Sequence, residues 1–303
     1  MSPNTNAFET RFPLERDAQP LRVSPLTRRL VAPNGGPFTY TGTCAYIVGS
    51  GEVAIIDPGP ASDAQVEALL DAIAGEQLAA ILVTHTHLDH APAATILRAR
   101  TGAPIIGCAP YRPLVRIIEG PALDAAHDAA YAPDKALADG ETLRIGGATL
   151  QAIATPGHTA NHLCFALLEE ETLFTGDHVM GWATTVVAPP DGSMRAYLGS
   201  IEKLLARDDR LYWPAHGGPI ADPRPFLRAL LLHRRHREAA ILRRLDEGDV
   251  TIPPMVARIY ASVDKRLHPA AAMVVLAHLE DLVERGAVAA PDGLGLFARY
   301  EKV

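Results

Sequence analysis

A cluster of histidine and aspartate residues lies between positions 84 and 90, directly after the apolar stretch Ala80–Val83. Its members are His85, His87, Asp89 and His90, and three imidazoles with a carboxylate leave little apolar surface to pack in a core. Imidazole nitrogens and carboxylate oxygens are preferred zinc ligands, at about 2.0–2.2 Å. The spacing therefore predicts a metal site at a strand end, in preference to a loop of solvated histidines.

A metal ion needs three or four ligands, so further ligands are expected downstream. His158, Asp177 and His216 each follow a short apolar stretch and lie beside a glycine or proline turn. Loops at the ends of a rigid sheet can present such side chains to one point. Each residue alone fits an ordinary turn, but together they predict the rest of the site.

Short apolar runs rich in β-branched residues predict the strands that would position these ligands. Strands are expected at Cys44–Val48, Val53–Ile56, Ala80–Val83, Ile105–Ile106, Leu143–Ile145, Leu150–Ile153, Leu163–Leu168, Thr172–Phe174 and Leu211–Trp213. Helical periodicity is found at Ala64–Ala74, Ala91–Arg100 and Ala196–Ala206. Paired strands mixed with helices predict an α+β sandwich rather than a doubly wound sheet.

The pattern changes after Pro223. Three helices are expected at Pro225–Glu247, Pro254–Val263 and Pro269–Arg285, followed by a hairpin of Ala287–Ala290 and Leu294–Tyr300. This order is typical of a small winged-helix domain. We therefore predict an irregular segment at 1–29, a catalytic domain at 30–226 and a winged-helix-like domain at 227–303.

The middle of the first of these helices is rich in basic residues and is expected to cross solvent between two packed ends. The basic residues there and near its end are Arg234, Arg235, Arg237, Arg243 and Arg244. A solvated helix face is the preferred interpretation, and an RNA-binding surface is the alternative.

Composition narrows the function. Of 303 residues, 48% are hydrophobic and the net charge is −7, which does not favour a protein that binds phosphate backbones along its whole surface. No run of about 18 apolar residues is present, so no membrane partner is expected. The odd number of cysteines, Cys44, Cys108 and Cys164, predicts buried thiols and a cytoplasmic location.

The ligand set, together with Asp57 in Ile56–Gly59, resembles the metallo-β-lactamase superfamily over about residues 30–226. The resemblance implies an αββα sandwich of two mixed sheets flanked by helices. It implies that His85, His87 and His158 bind one metal, that Asp89, His90 and His216 bind a second, and that Asp177 bridges them. Asp57 would hydrogen-bond the ligand loop, although a turn-forming role is the alternative.

Two positions within the pattern refine the resemblance. Flavodiiron relatives have a glutamate where this chain has His87, which disfavours an iron redox centre. Asp177 stands where one class of true lactamases has cysteine and another lacks an acid. The pattern therefore indicates the glyoxalase II and ribonuclease branches.

A closer resemblance to the group of beta-lactamase-like protein 2 covers most of the chain. It is carried by Ala32–Thr39, Thr41–Thr43, Thr155–Thr159, Gly176–Gly181 and the Thr184-Thr185 pair, with the winged tail. The eukaryotic member of that group is a zinc endoribonuclease acting on single-stranded RNA, and fungal relatives include polyketide thioesterases. The resemblance therefore indicates the type of metal centre more specifically than it indicates the substrate.

Such a site would use two divalent cations about 3.5–4 Å apart that share a bridging hydroxide. Zinc is the expected metal, and manganese or iron(II) is the alternative. Asp177 would hold the spacing of the ions, and Asp89 would orient the nucleophile and accept its proton.

For several residues near the ligands, the sequence allows more than one role. His162 is expected to support the ligand loop rather than bind metal. Five residues after Asp177 are candidates for lining the substrate groove, with packing inside the loop as the alternative: His178, Met180, Trp182, Thr184 and Thr185. His127 is expected on a solvated helix face.

Three functions are consistent with these residues. A dinuclear metal hydrolase that cleaves single-stranded RNA stands first, because of the tail and the resemblance. A thioesterase or other acyl hydrolase acting on a small-molecule ester or thioester is the alternative. A winged-helix nucleic-acid-binding regulator with a vestigial metal domain is a third, which the complete ligand set disfavours. The sequence is consistent with either a monomer or a homodimer.

Overall fold

The computed structural model of the protein describes residues 20–112 and 127–303. Its first sheet has seven strands in chain order. They are β1 (Leu21–Arg22), β2 (Thr27–Val31), β3 (Cys44–Ser50), β4 (Glu52–Ile56), β5 (Gln77–Val83), β6 (Ile105–Gly107) and β7 (Lys135–Ala136). Strands β1 to β4 pair antiparallel and β4 to β7 pair parallel. Helices α1 (Asp63–Ala72) and α2 (Pro92–Thr101) lie in the β4–β5 and β5–β6 crossovers.

The second sheet has five strands in the order β12-β11-β10-β9-β8. They are β8 (Thr142–Ile145), β9 (Ala148–Ala154), β10 (Leu163–Leu167), β11 (Thr172–Gly176) and β12 (Leu211–Pro214). Only the β11–β12 pair is parallel, and helix α3 (Met194–Leu205) lies in that crossover. The sheet is therefore mixed, like the first.

The two sheets face each other across an apolar core. In β10, Phe165 belongs to the cluster between the sheets, while Cys164 belongs to the cluster shared with α3. This alternation is what a strand covered on both faces requires. The Tyr46 hydroxyl of β3 also donates to the Pro214 carbonyl of β12 at 2.6 Å. Helices cover the outer faces, so the predicted αββα sandwich is confirmed.

The C-terminal unit contains three helices and a small hairpin. They are α4 (Pro223–Asp246), α5 (Ile252–Ile259), α6 (His268–Glu284), β13 (Val288–Ala289) and β14 (Glu301–Lys302). Short 3-10 turns occur at Leu168–Glu170 and Lys265–Leu267. The order of elements agrees with the expected winged helix.

The wing differs from its prediction. Leu294–Tyr300 is not a strand, because the Tyr300 side chain turns inward and its hydroxyl bonds both the amide and the carbonyl of Gly295. The second wing strand, β14, follows this segment. The predicted strand position is therefore wrong.

The predicted domain boundaries stay a prediction, and both fall within secondary-structure elements, β2 and α4. Helix α4 continues across the boundary at 226/227: Leu227 packs with the second sheet, while Ile241 packs in the C-terminal core. Strand β1 and the start of β2 lie within the segment predicted to be irregular, and residues 1–19 of that segment lie outside the described residues. A continuous helix therefore joins the two packing units.

The middle of α4 does not simply cross solvent. Arg235 and His236 are exposed, but Arg234 is only 2% exposed. The prediction of a solvated face is wrong at this position, because the side chain points into the seam between α3 and the loop after β11. All three cysteines are free and buried, as predicted. Within the described ranges, no helix has the length and apolarity needed to cross a bilayer.

Gly157, in the turn before His158, is a position where only glycine fits. Its φ is +144°, and an added Cβ would lie 2.3 Å from the Tyr197 Cα of α3. We expect Gly157→Ala to lower the free energy of unfolding by about 3 kcal/mol or more, since backbone must move. Urea denaturation measures this change.

Gly199→Ala is the matched control. Gly199 lies within α3, and an added Cβ there meets nothing within 4 Å, so helix propensity predicts a gain of about 0.5–1 kcal/mol. Equal stability of the Gly157→Ala variant and the native protein would contradict the packing explanation.

Candidate metal centre

The first cluster of site residues lies in the loop after β5 and is tied to the end of β4 by Asp57. The Asp57 carboxylate accepts from the Thr84 amide at 2.8 Å, from the Thr84 hydroxyl at 2.7 Å and from His90 Nδ1 at 3.0 Å. The Thr84 hydroxyl donates its single proton to Asp57, so it accepts a hydrogen bond from His85 Nδ1 at 3.0 Å. These bonds leave Nε2 of His85 and of His90 free to bind an ion.

Four residues from three loops converge at one end of the site: His85, His87, His158 and Asp177. His87 Nδ1 lies 3.0 Å from His85 Nε2 and 3.1 Å from His158 Nε2. Asp177 Oδ2 lies 3.6 Å from His158 Nε2. His158 Nδ1 donates to the Val186 carbonyl at 2.7 Å, which fixes the ring and aims Nε2 at the cluster.

A second group consists of Asp89, His90, Asp177 and His216. Asp89 Oδ2 lies 3.3 Å from His90 Nε2 and 3.1 Å from His216 Nε2. Asp177 Oδ1 lies 3.5 Å and 3.2 Å from the same two nitrogens. The two oxygens of Asp177 therefore face different groups, which is the geometry that a bridging carboxylate needs.

The donor atoms fit a pair of cations. Within the described part of the chain, His90 Nε2, His216 Nε2 and Asp177 Oδ1 are buried and lack a hydrogen-bond partner of acceptable geometry. Buried polar atoms are nearly always satisfied, and these three point at one another. Because the groups are imidazoles and carboxylates, divalent metal ions would satisfy them.

The electrostatics of the second group also favour a positive charge. Burial opposes protonation, but Asp89, Asp177 and Asp57 raise the pKa of His90 well above its usual value. Asp177 and Asp89 likewise outweigh burial and raise the pKa of His216 to about 10. Burial also disfavours the Asp177 carboxylate, yet His216 and His90 hold its pKa well below the usual range.

The first group behaves differently. Burial, followed by repulsion from neighbouring imidazoles, lowers the pKa values of His85 and His87 well below the usual value. These rings are therefore neutral at pH 7 and present lone pairs, as metal ligation requires.

His162 lies behind Asp177. Its Nε2 accepts from the Asp177 amide at 3.2 Å, and its Nδ1 lies 2.9 Å from the Thr155 hydroxyl. Burial lowers the pKa of His162 well below its usual value, so it remains a neutral acceptor that supports the ligand-bearing backbone.

A cavity of about 460 Å³ opens over the two groups. His87, Asp89, His158 and Asp177 contribute polar atoms to its lining. Its walls are largely apolar: Phe38, Leu88, Met180, Val186, Ala188 and Met273. Phe38 and Leu88 are 54% and 45% exposed, so large apolar groups remain open to a ligand beside the cluster.

Of the five candidate groove residues, Met180 lines this cavity, and the other four are absent from its lining. His178 is buried with its ring 4.7 Å from that of Tyr197. Trp182 stacks on Tyr40 at 5.0 Å, and Thr185 is buried. Thr184, beside it, also lies outside the cavity lining. These contacts agree with the alternative of packing inside the loop, and a groove role for these four residues stays a prediction.

Sequence reasoning missed the contribution of α6 to the cavity wall through Ala270 and Met273. The available signal was the unbroken apolar run Ala270–Ala277 in the first half of α6, which indicates a helical segment buried on more than one face. That signal does not say which neighbour covers the helix.

His127 also differs from its predicted position. Its side chain is 3% exposed, its ring stacks on Tyr111 at 3.7 Å, and it lies 4.7 Å from the His87 ring. Its Nδ1 is 2.7 Å from the Thr86 hydroxyl. The solvated position expected for His127 is therefore wrong, because the residue packs against the ligand loop.

Comparison with known proteins identifies the family. Residues 39–216, more than half of the chain, match the metallo-beta-lactamase superfamily. The chain belongs to the metallo-beta-lactamase superfamily. Residues 251–294 match the beta-lactamase associated winged helix domain. The predicted superfamily and tail are thus confirmed, and the chain is an enzyme of the hydrolase class.

Two similar relatives are named atrochrysone carboxyl ACP thioesterase. The protein from Claviceps purpurea is 29% identical over 271 residues, covering 85% of this chain and 81% of the relative. That from Aspergillus chevalieri is 30% identical over 268 residues, covering 84% and 79%. The finer resemblance to the beta-lactamase-like protein 2 group remains a prediction.

A solved structure shares the whole fold. The beta-lactamase domain protein from Burkholderia ambifaria superposes with a TM-score of 0.80, covering 99% of this chain and 97% of that one, at 22% identity. Both the sandwich and the C-terminal unit therefore belong to one shared architecture.

Proposed function

We propose that the protein is a metal-dependent thioesterase that hydrolyses an uncharged, largely apolar acyl thioester. One observation carries the proposal: no lysine or arginine occurs among the described residues that line the cavity over the His/Asp cluster. The relatives that are named thioesterases support a thioester as the bond that is cleaved.

The few other polar residues on the cavity wall are engaged internally. The Asn34 side chain donates to the Thr43 hydroxyl and accepts from the Thr43 amide. The Thr39 hydroxyl donates to the Asn34 carbonyl. Because these groups are already bonded, the wall favours an acyl group that demands few hydrogen bonds.

RNA cleavage, the first expectation from the sequence, is less well supported. Phosphate backbones are bound through lysine and arginine, and single strands stack on aromatic platforms. Of the described lining residues, only Phe38 is aromatic apart from the histidines, and none is a lysine or arginine. We therefore place acyl hydrolysis first among the candidate functions and RNA cleavage second.

The regulator hypothesis also loses its support. A winged helix reads DNA by inserting its recognition helix into the major groove, which needs an exposed face. In α6, which occupies that place, every residue from Met273 to Leu282 is buried. Helix α6 serves packing and the cavity wall instead.

The metal ligands belong to the same proposed function. His85, His87 and His158 would hold one ion, Asp89, His90 and His216 the other, and Asp177 both. Zinc suits this donor set best. When bound, such ions would supply Lewis acidity to the thioester carbonyl and lower the pKa of the attacking water.

Asp89 is placed to move the proton. Its carboxylate is 26% exposed and lines the cavity. Burial favours its neutral form, but His90 and His216 hold its pKa well below the usual range. Ionised Asp89 would accept the proton of the attacking water and return it to the thiolate when the C–S bond breaks.

The test is turnover by the purified, zinc-loaded protein of acyl N-acetylcysteamine thioesters, beside labelled single-stranded RNA. We expect thioester hydrolysis that is lost with a chelator and in His85→Ala. Metal-dependent RNA cleavage without thioester turnover would overturn the proposal.

A further inference from the structure

We propose that Arg234, a buried arginine of α4, is a positioning residue that holds two ligands of the centre, Asp177 and His158, through one loop. The inference rests on the proposed metal centre but not on the identity of the substrate. Arg234 lies outside the ligand motifs of the superfamily.

Arg234 is an unusual buried cation. Its guanidinium donates to the Thr185 carbonyl at 2.5 Å, and its Cζ lies 5.0 Å from the Tyr197 ring centroid. Among the described residues, no carboxylate lies within ion-pair distance of it. A buried charge without an ionic partner is costly, which argues for a role other than stabilising the fold.

Thr185 transmits the contact to Asp177. The Thr185 hydroxyl donates to the Asp177 carbonyl at 2.8 Å and lies 3.1 Å from the His178 carbonyl. The Asp177 amide is held from the other side by His162. The backbone that carries the bridging carboxylate is therefore fixed at both ends.

Val186, the next residue, transmits the contact to His158. Its carbonyl accepts from His158 Nδ1 at 2.7 Å, which sets the tautomer and the direction of Nε2. Two consecutive residues, Thr185 and Val186, thus orient two ligands of the first group, and Arg234 fixes the peptide that joins them.

The second group has its own supports. His90 is held by Asp57, and His216 Nδ1 lies 3.4 Å from the Gly42 carbonyl. Neither contact involves the loop that Arg234 holds. The two groups share Asp177, but only the first includes His158, which the same loop orients through the Val186 carbonyl. Loss of Arg234 should therefore weaken binding of the first ion more than binding of the second, by the roughly 10–100-fold typical of outer-shell partners.

The experiment measures stepwise zinc release from the full-length, zinc-loaded protein against a competing chelator. In Arg234→Met we expect the dissociation constant of the first ion to rise about 10–100-fold, that of the second ion to rise less, and the melting temperature of the metal-free protein to be preserved. Arg234→Lys, which keeps a donor, should restore part of the affinity. Arg235→Met, the exposed neighbour, should match the native protein.

Thr185→Val supplies an independent test, because it deletes the hydroxyl and keeps the size and the carbonyl. We expect it to weaken the same zinc step. Unchanged zinc release in Arg234→Met, or equal weakening of both steps with a lower melting temperature, would overturn the inference. A native protein that binds no zinc would instead overturn the proposed centre itself.

Discussion

We expect Asp177→Asn to abolish nearly all of the proposed thioester turnover while the protein keeps its fold. The two Asp177 oxygens face His158 on one side and His90 with His216 on the other, and an amide offers only one oxygen and a weaker ligand. If Asp177 bridges two ions as proposed, both would lose a shared ligand at once. The fall in kcat should exceed the roughly 10²–10³-fold that a single transition-state donor contributes.

Asp208→Asn is the matched control, since the Asp208 side chain is 89% exposed. Steady-state kinetics and circular dichroism on both variants separate loss of the site from loss of the fold. Native turnover and full metal content in Asp177→Asn would refute its bridging role.

Ala270→Phe should change which thioesters are hydrolysed. Ala270 and Met273 of α6 line the cavity together with His87 and Asp89, and an added ring would occupy space that the proposed acyl group needs. Since one methylene in an apolar pocket is worth about 10–200-fold, kcat/KM for a long acyl chain should fall by about 100-fold. Turnover of an acetyl thioester should change little.

Ala239→Phe, at an exposed position of α4, controls for the added ring. The measurement is kcat/KM across a series of acyl chain lengths for both variants. An equal loss for acetyl and long-chain thioesters would show that Ala270 does not face the acyl group.

The chemistry of the site could be predicted from the sequence because its ligands carry their own signal. Four of them fall within six residues at the end of one strand, and the other three follow strands beside turns. The sandwich could also be predicted from the sequence, since strands such as β10 alternate between two apolar faces.

The surroundings of the site could not be predicted from the sequence in the same way. Periodicity predicts that Met273 is buried, but not that it lines the same cavity as His87 and Asp89. A run of basic residues predicts solvent exposure, and only the three-dimensional fold brings the Thr185 carbonyl and the Tyr197 ring to Arg234. The burial of His127 escapes prediction for the same reason, because its partner Thr86 is 41 positions away.

We propose that seven side chains bind two ions and that Asp177 is the ligand shared by both. The most direct test is anomalous diffraction at the zinc edge from crystals of the zinc-loaded protein. We expect two peaks, one among His85, His87 and His158 and one among Asp89, His90 and His216, with Asp177 between them. A single peak, or zinc bound elsewhere on the chain, would contradict the claim.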